Sequence, residues 1–164
     1  MGLGCEKVSR CGGIQGSAEI VSLAVFTAHF LQKHALFFAF DPKKKQKVFE
    51  TALLPGAASY PAMVAAGGKI FAAAGAKMLV FDPASMKTLK TIPLPGGQVE
   101  ISLGLHSSGR LVGLTGSSVY VVDPTKEELL SQAKSPVPIK CGFAVTGDWV
   151  YFGSGAELWR CRLP

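Results

Sequence analysis

An apolar run rich in β-branched residues ends at an Asp-Pro dipeptide three times in this chain. The three sites, Asp41-Pro42, Asp82-Pro83 and Asp123-Pro124, fall at equal intervals of 41 residues. The repeat extends beyond the dipeptide. GGKIFAAAGAKMLVFDP lies over SGRLVGLTGSSVYVVDP, with Gly68 over Gly109 and Gly75 over Gly116. TGDWVYFGSGAELWRCR continues the phase in a slightly shortened final copy, with Gly147 in the place of Gly109. A period near 40 residues constrains the fold more tightly than composition does. Each unit must be one supersecondary piece that buries its apolar surface by stacking on its neighbours.

Within a unit the pattern reads as four short strands. In the second copy these are SYPAMVAA, KIFAAA, KMLVF and LKTIPL. Gly67-Gly68 suits a tight turn, where glycine accepts positive φ without steric cost. Asp82 ends the third strand, because its carboxylate can accept hydrogen bonds from backbone N–H groups just ahead. Pro83 then fixes φ and offers no N–H to continue a ladder. Met78, Leu79, Val80 and Phe81 are apolar without alternation, as expected of a strand covered on both faces. No unit holds the helical stretch that a parallel crossover needs. The expected fold is therefore all-β: a β-propeller of about four four-stranded blades, spanning roughly 18–56, 57–97, 98–137 and 138–164 of a single domain.

The first copy keeps its third and fourth strands, ALFFAF and KVFETALL, but FTAHFLQKH lacks the glycine turn. The last copy stops at Pro164 without a fourth strand. Residues 6–12, within an N-terminal segment of 1–17, are expected to supply it. Repeats of this length more often build rings of six to eight blades. The chain is accordingly expected to pair with a second copy or to form part of a larger propeller, with self-association favoured over a compact four-bladed monomer. Open blade faces would otherwise expose apolar patches.

The stretch GGKIFAAAGAKMLVFDPASMKTLKTIPLPGG resembles the YVTN-type and quinoprotein-like propeller repeats, in which a strand pair ends in Asp before an outer strand of K-x-x-x-T-I-P type. Lys87, Thr91, Ile92 and Pro93 fit that pattern. The resemblance implies the propeller fold and little about activity, since one fold hosts many functions. Quinoprotein dehydrogenases carry a Trp-docking motif in each repeat. Here Trp149 and Trp159 are the only tryptophans and both lie in the last copy, so no such cofactor is expected.

Nearly half the residues are hydrophobic, enough for a real core. The net charge of +6 permits acidic partners without demanding them. Part of it sits in Lys43, Lys44, Lys45 and Lys47, which reads as a solvated hairpin tip. Without interleaved aromatics it is not a nucleic-acid site. The apolar run at 20–31 is too short to span a bilayer and reads as buried strand. The N-terminal MGLGC lacks the hydroxyl residue of a myristoylation start, having Glu6 there. The four cysteines, Cys5, Cys11, Cys141 and Cys161, match no CxxC or zinc-knuckle spacing. They are expected to be mostly free thiols. Cys141 and Cys161 fall two strands apart, too far to bridge, and a Cys5–Cys11 link stays open as a speculative pairing.

Chemistry is sparse. His29, His34 and His106 have no accompanying carboxylate cluster, so no metal site is expected. GGIQGS at 12–17 lacks the lysine of a P-loop. Ser131-x-x-Lys134 falls on an expected outer strand, away from any pocket. Propellers bind ligands where loops enter the innermost strands, and counting back from the glycine turns gives Tyr60, Glu100 and Lys140 as the candidate channel rim. The favoured function is a non-catalytic binding or scaffold module recognising a protein, peptide or glycan at that mouth. The alternative is a propeller lyase or hydrolase acting on carbohydrate.

Overall fold

A computed structural model describes residues 4–10, 34–35, 38–41, 43–50, 54–55, 62–74, 76–95 and 103–164. Every regular element among them is a β-strand. The strands in chain order are β1 (Cys5–Arg10), β2 (His34–Ala35), β3 (Phe38–Asp41), β4 (Gln46–Glu50), β5 (Leu54–Pro55), β6 (Ala62–Ala66), β7 (Lys69–Ala74) and β8 (Lys77–Asp82). They continue as β9 (Lys87–Pro93), β10 (Leu103–Leu105), β11 (Leu111–Thr115), β12 (Ser118–Asp123), β13 (Glu128–Lys134), β14 (Cys141–Thr146), β15 (Trp149–Ser154) and β16 (Glu157–Arg162). Three antiparallel four-stranded sheets result, ordered β6-β7-β8-β9, β10-β11-β12-β13 and β14-β15-β16-β1. These are the second, third and fourth units; the first, ahead of them in the chain, is represented by the β3–β4 hairpin, flanked by the Ala35↔Leu54 pairing of β2 with β5. The expected upstream strands of the first unit, the apolar run at 20–31, His29 and the GGIQGS stretch lie outside the described residues.

The closing strand expected from the N-terminus is β1, paired antiparallel with β16 from Cys5↔Cys161 to Arg10↔Glu157. That pairing corrects the reading of the cysteines. Cys5 and Cys161 form a disulfide, with Cα atoms 4.1 Å apart, so neither mostly free thiols nor a Cys5–Cys11 link describes the chain. The physical reason is register: the strand that completes the last sheet sets the two cysteines directly opposite one another. Cys141 is a free, exposed thiol, separated from Cys161 by the intervening strand β15.

The sheets stack, and three apolar clusters mark the joints. Phe49 of the first unit packs on Phe81, with ring centroids 4.6 Å apart, in a cluster with Ala72 and Leu79. Phe71, Ala73, Met78 and Val80 of the second sheet meet Leu103, Leu111, Tyr120 and Val122 of the third. Val112, Leu114, Val119 and Val121 of the third meet Val150, Phe152 and Cys161 of the fourth. Consecutive side chains of one strand therefore point to opposite neighbours, which is why β8 and β12 read as unbroken apolar runs. Each fully buried Phe, Met or Val contributes about 1.5–3 kcal/mol relative to exposure. Among the described residues no such cluster joins the fourth sheet to the first unit, and the three joints follow one another in chain order as an arc of blades.

Two glycines set how closely strands approach. A Cβ on Gly113 would lie 2.2 Å from the Tyr120 ring, which lies flat across it. A Cβ on Gly104 would lie 2.3 Å from the Phe143 ring, so the innermost strand of the third sheet yields space to an aromatic from the fourth.

The Asp-Pro hairpins are one device used three times. Asp41↔Gln46, Asp82↔Lys87 and Asp123↔Glu128 each close a four-residue loop. The last loop residue takes a left-handed conformation in each, at Lys45 (φ 52), Met86 (φ 57) and Glu127 (φ 55). For L-residues that costs about 1–2 kcal/mol. The aspartates offset it by accepting backbone N–H bonds: Lys43 and Lys44 donate to Asp41, Ala84 and Ser85 to Asp82, Thr125 and Lys126 to Asp123. The Ser85 and Thr125 hydroxyls also donate to Asp82 and Asp123. They are the largest influence lowering those two carboxyl pKa values, whereas the Lys44 N–H is the largest for Asp41.

Two tests follow from this packing. Tyr120 is fully buried and its hydroxyl has no hydrogen-bond partner among the described residues. Burial pushes its phenol pKa upward. Tyr120→Phe removes the orphaned group and keeps the ring, so urea unfolding is expected to show a gain of about 1–3 kcal/mol; a loss would mean the hydroxyl has a partner. The three aspartates are depressed in the folded state, so their stabilisation is complete above the unfolded carboxyl pKa and is lost as pH falls through the lower folded values. The melting temperature is expected to drop below about pH 4. Asp41→Asn, Asp82→Asn and Asp123→Asn combined keep the turns and remove the titration; the acid limb should flatten, and an unchanged slope would refute this origin.

Candidate functional site

Of the three rim residues read from the sequence, the structure describes one. Lys140 is exposed at the entry to β14, the innermost strand of the last sheet, and its N–H donates to the Gly153 carbonyl at 2.9 Å. The loop before it is pinned rather than loose. Ser135 N–H donates to the Ser117 carbonyl at 2.8 Å and Ile139 N–H to the Gly116 carbonyl at 2.9 Å. Ile139 is fully buried in the joint between the third and fourth sheets. Tyr60 and Glu100 lie outside the described residues.

At the opposite end of the arc, polar side chains tie neighbouring blades. Lys69 at the start of β7 pairs with Glu127 in the hairpin loop of the third sheet. His106 Nε2 lies 2.8 Å from the Gly147 carbonyl, and since a carbonyl only accepts, Nε2 carries the proton. Nδ1 then accepts from the Ser108 N–H at 3.2 Å, with the Ser108 hydroxyl 2.7 Å away. His106 caps its turn, as its position in the repeat implies, and also bridges to the next blade. Ser131 donates through its hydroxyl to the Pro164 carbonyl at 3.0 Å, a structural use of the serine in the SxxK pattern. Among the described residues no group of three or more His, Cys, Asp or Glu is placed to hold a metal ion. No helix among them is long and apolar enough to cross a membrane.

The informative surface is the far face of the last sheet. The pairs Ala74↔Lys77, Thr115↔Ser118 and Ser154↔Glu157 close equivalent hairpins, which puts the blades in common register. Phe71, Val112 and Tyr151 are then equivalent, as are Met78, Val119 and Leu158, and Val80, Val121 and Arg160. In the second and third sheets these positions are sealed: Phe71, Met78, Val80, Val112 and Val119 are 0% exposed and Val121 is 4%. In the last sheet Tyr151, Leu158 and Arg160 are each half-buried. Arg160 lies over the Trp149 ring, 4.5 Å from its centroid, and its guanidinium pairs with the Glu6 carboxylate from the closing strand. Tyr151 and then Glu6 hold the Arg160 pKa above its ordinary value. Gly153 takes the place of Ala73 and Leu114, and the Cys141 sulfur lies over it.

This aromatic–guanidinium patch was not among the residues picked from the sequence, although a signal existed. Arg160 falls in the repeat where the other copies have Val80 and Val121, and both tryptophans belong to the last copy. Residues placed by counting toward loops missed a face distinguished only by comparing blades position by position.

No protein-family model matches the chain, and no curated protein matches it. Solved structures do. Hydrazine synthase from Kuenenia stuttgartiensis superposes with a TM-score of 0.58 at 13% identity, over 88% of this chain and 46% of that one. U3-55K superposes with a TM-score of 0.59 at 15% identity, over 80% of this chain and 42% of that one. Both are β-propeller proteins, and the chain spans less than half the length of either. At these identities the likeness speaks to the fold, which is that of propeller blades arranged in an arc.

Proposed function

We propose that the chain is a non-catalytic β-propeller module of YVTN-like repeats that binds a protein or peptide partner. One observation carries this reading: the last sheet turns half-buried Tyr151, Leu158 and Arg160 outward where the preceding sheets bury aliphatic and Phe side chains, and sets half-buried Trp149 beside them. Trp, Tyr and Arg are the residue types that dominate binding energy at protein interfaces, because each offers large contact area with a polar end. Arg160 is held in place by Trp149 and Glu6, so little of its side-chain entropy remains to be lost on association. Lys140 stands exposed at the loop end of the same sheet and, with Tyr60 and Glu100, remains the proposed channel rim. A second copy, or further blades of a longer ring, would meet the arc through this same face.

Peptide and glycan arrays probed with wild type, Trp149→Ala and Arg160→Ala decide between the readings. The binding module predicts peptide ligands whose capture falls about tenfold in either variant, with the ligand recovered intact. Release of product from a glycan would replace it with the carbohydrate-active enzyme. Light scattering reads self-association directly: Arg160→Val, which installs the residue of Val80 and Val121, is expected to raise the apparent mass with concentration. An unchanged monomer mass would overturn self-association through this face.

A further inference from the structure

The closing strand β1 is attached to the rest of the fold in an unusually separable way. Among the described residues its ladder runs to β16 alone, along the outer edge of the last sheet. Lys7 pairs with Glu157 at 2.7 Å and Glu6 with Arg160, both partners again on β16. The Gly4 carbonyl accepts from the Arg162 N–H at 3.2 Å. Cys5 packs on the core joint between the third and fourth sheets. Residues 11–33 separate β1 from β2. An edge strand paired to a single neighbour is an element that two copies can exchange. What prevents exchange here is covalent: Cys5–Cys161 spans 156 positions and fastens the strand to the edge it completes.

We propose that Cys5–Cys161 is a redox latch on an exchangeable strand, and that its reduction opens the β16 edge to the closing strand of a second copy. The step balances with a dithiol reductant. A thiolate of the reductant attacks the Cys5 sulfur, the less buried of the two, and Cys161 leaves as a thiolate that takes up a proton. The second thiol of the reductant attacks the mixed disulfide and Cys5 leaves in turn. The products are two protein thiols and a cyclic disulfide; the reductant loses two electrons and the protein bond gains them. The freed edge of β16 then presents unpaired N–H and C=O groups, which favour strand addition. The sequence of β1 is what selects the occupant. Glu6 matches Arg160, Lys7 matches Glu157 and Cys5 matches Cys161, and a second copy carries that same set. A disulfide reductant and an oxidised-glutathione couple thus convert a monomeric latch into an intermolecular one, whatever ligand the module binds.

The test uses the full chain with Cys11→Ser and Cys141→Ser, which leaves Cys5 and Cys161 as the two cysteines able to pair. Equal amounts of nitrogen-15-labelled and unlabelled protein are mixed, reduced with dithiothreitol, reoxidised with oxidised glutathione over a range of protein concentrations, and digested without reduction. Mass spectrometry of the Cys5–Cys161 peptide pair is expected to show isotopically mixed pairs whose share rises with concentration. A never-reduced sample should show isotopically pure pairs. Hydrogen exchange reports the intermediate: in the reduced protein, amides of 5–10 and 157–162 should exchange about tenfold faster or more while those of 111–115 keep their protection. Isotopically pure pairs at every concentration would overturn the proposal. So would unchanged exchange in 5–10, or mixed pairs formed only when 111–115 also lose protection, since that is general unfolding.

Discussion

The structure depends on one constraint: a four-stranded sheet whose strands are apolar on both faces cannot exist by itself in water. β8 and β12 alternate between two neighbours rather than between core and solvent. Every interior sheet is therefore obliged to have a sheet on each side, and the short period of the repeat is the length of chain needed to make one such unit. The joints are filled by side chains of different size in each blade, such as Tyr120 over Gly113 in the third and Leu79 beside Ala72 in the second, so total volume is kept while the residues differ. That tolerance explains how blades can superpose on propellers at 13–15% identity.

The same constraint makes the terminal sheet different from the rest. Its inner face carries Val150, Phe152 and Cys161 against the third sheet. Its outer face replaces aliphatic residues with Tyr151 and Arg160 and balances the guanidinium with Glu6. Charges there are paired within the sheet itself, which lowers the cost of leaving the face partly in water. The last blade is finished by covalent chemistry as well as by hydrogen bonding. On chain-entropy grounds a crosslink closing so long a loop removes about 5 kcal/mol of unfolded-state freedom.

Much of the fold was legible because its rules are local. The strands KIFAAA and KMLVF were bounded by glycine and Asp-Pro turns, and β7 and β8 occupy those positions. The Asp-Pro turns could be read as strand terminators from one carboxylate and one missing N–H, and the structure shows those hydrogen bonds three times. The left-handed residue that completes each loop was not legible, since Lys45, Met86 and Glu127 have no preference for that conformation and are forced into it by closure. The disulfide was missed for a related reason. Cys5 and Cys161 become neighbours only through register between the two ends of the chain, and the reading that placed the N-terminal strand on the last blade stopped short of aligning it residue by residue. The candidate site was the least legible part, because nothing in a single blade marks Arg160; only its contrast with Val80 and Val121 does.

The bare backbone of Gly104 has a consequence for how two blades meet. There the third blade gives up a side chain on its innermost strand, and the ring of Phe143 from the next blade lies against its main chain. A methyl at that position would run into the far edge of that ring, so the aromatic would have to swing aside before the strands could keep their spacing. The contact is a seat cut to the outline of one ring, and the vacancy that makes it is a single atom that the chain leaves out.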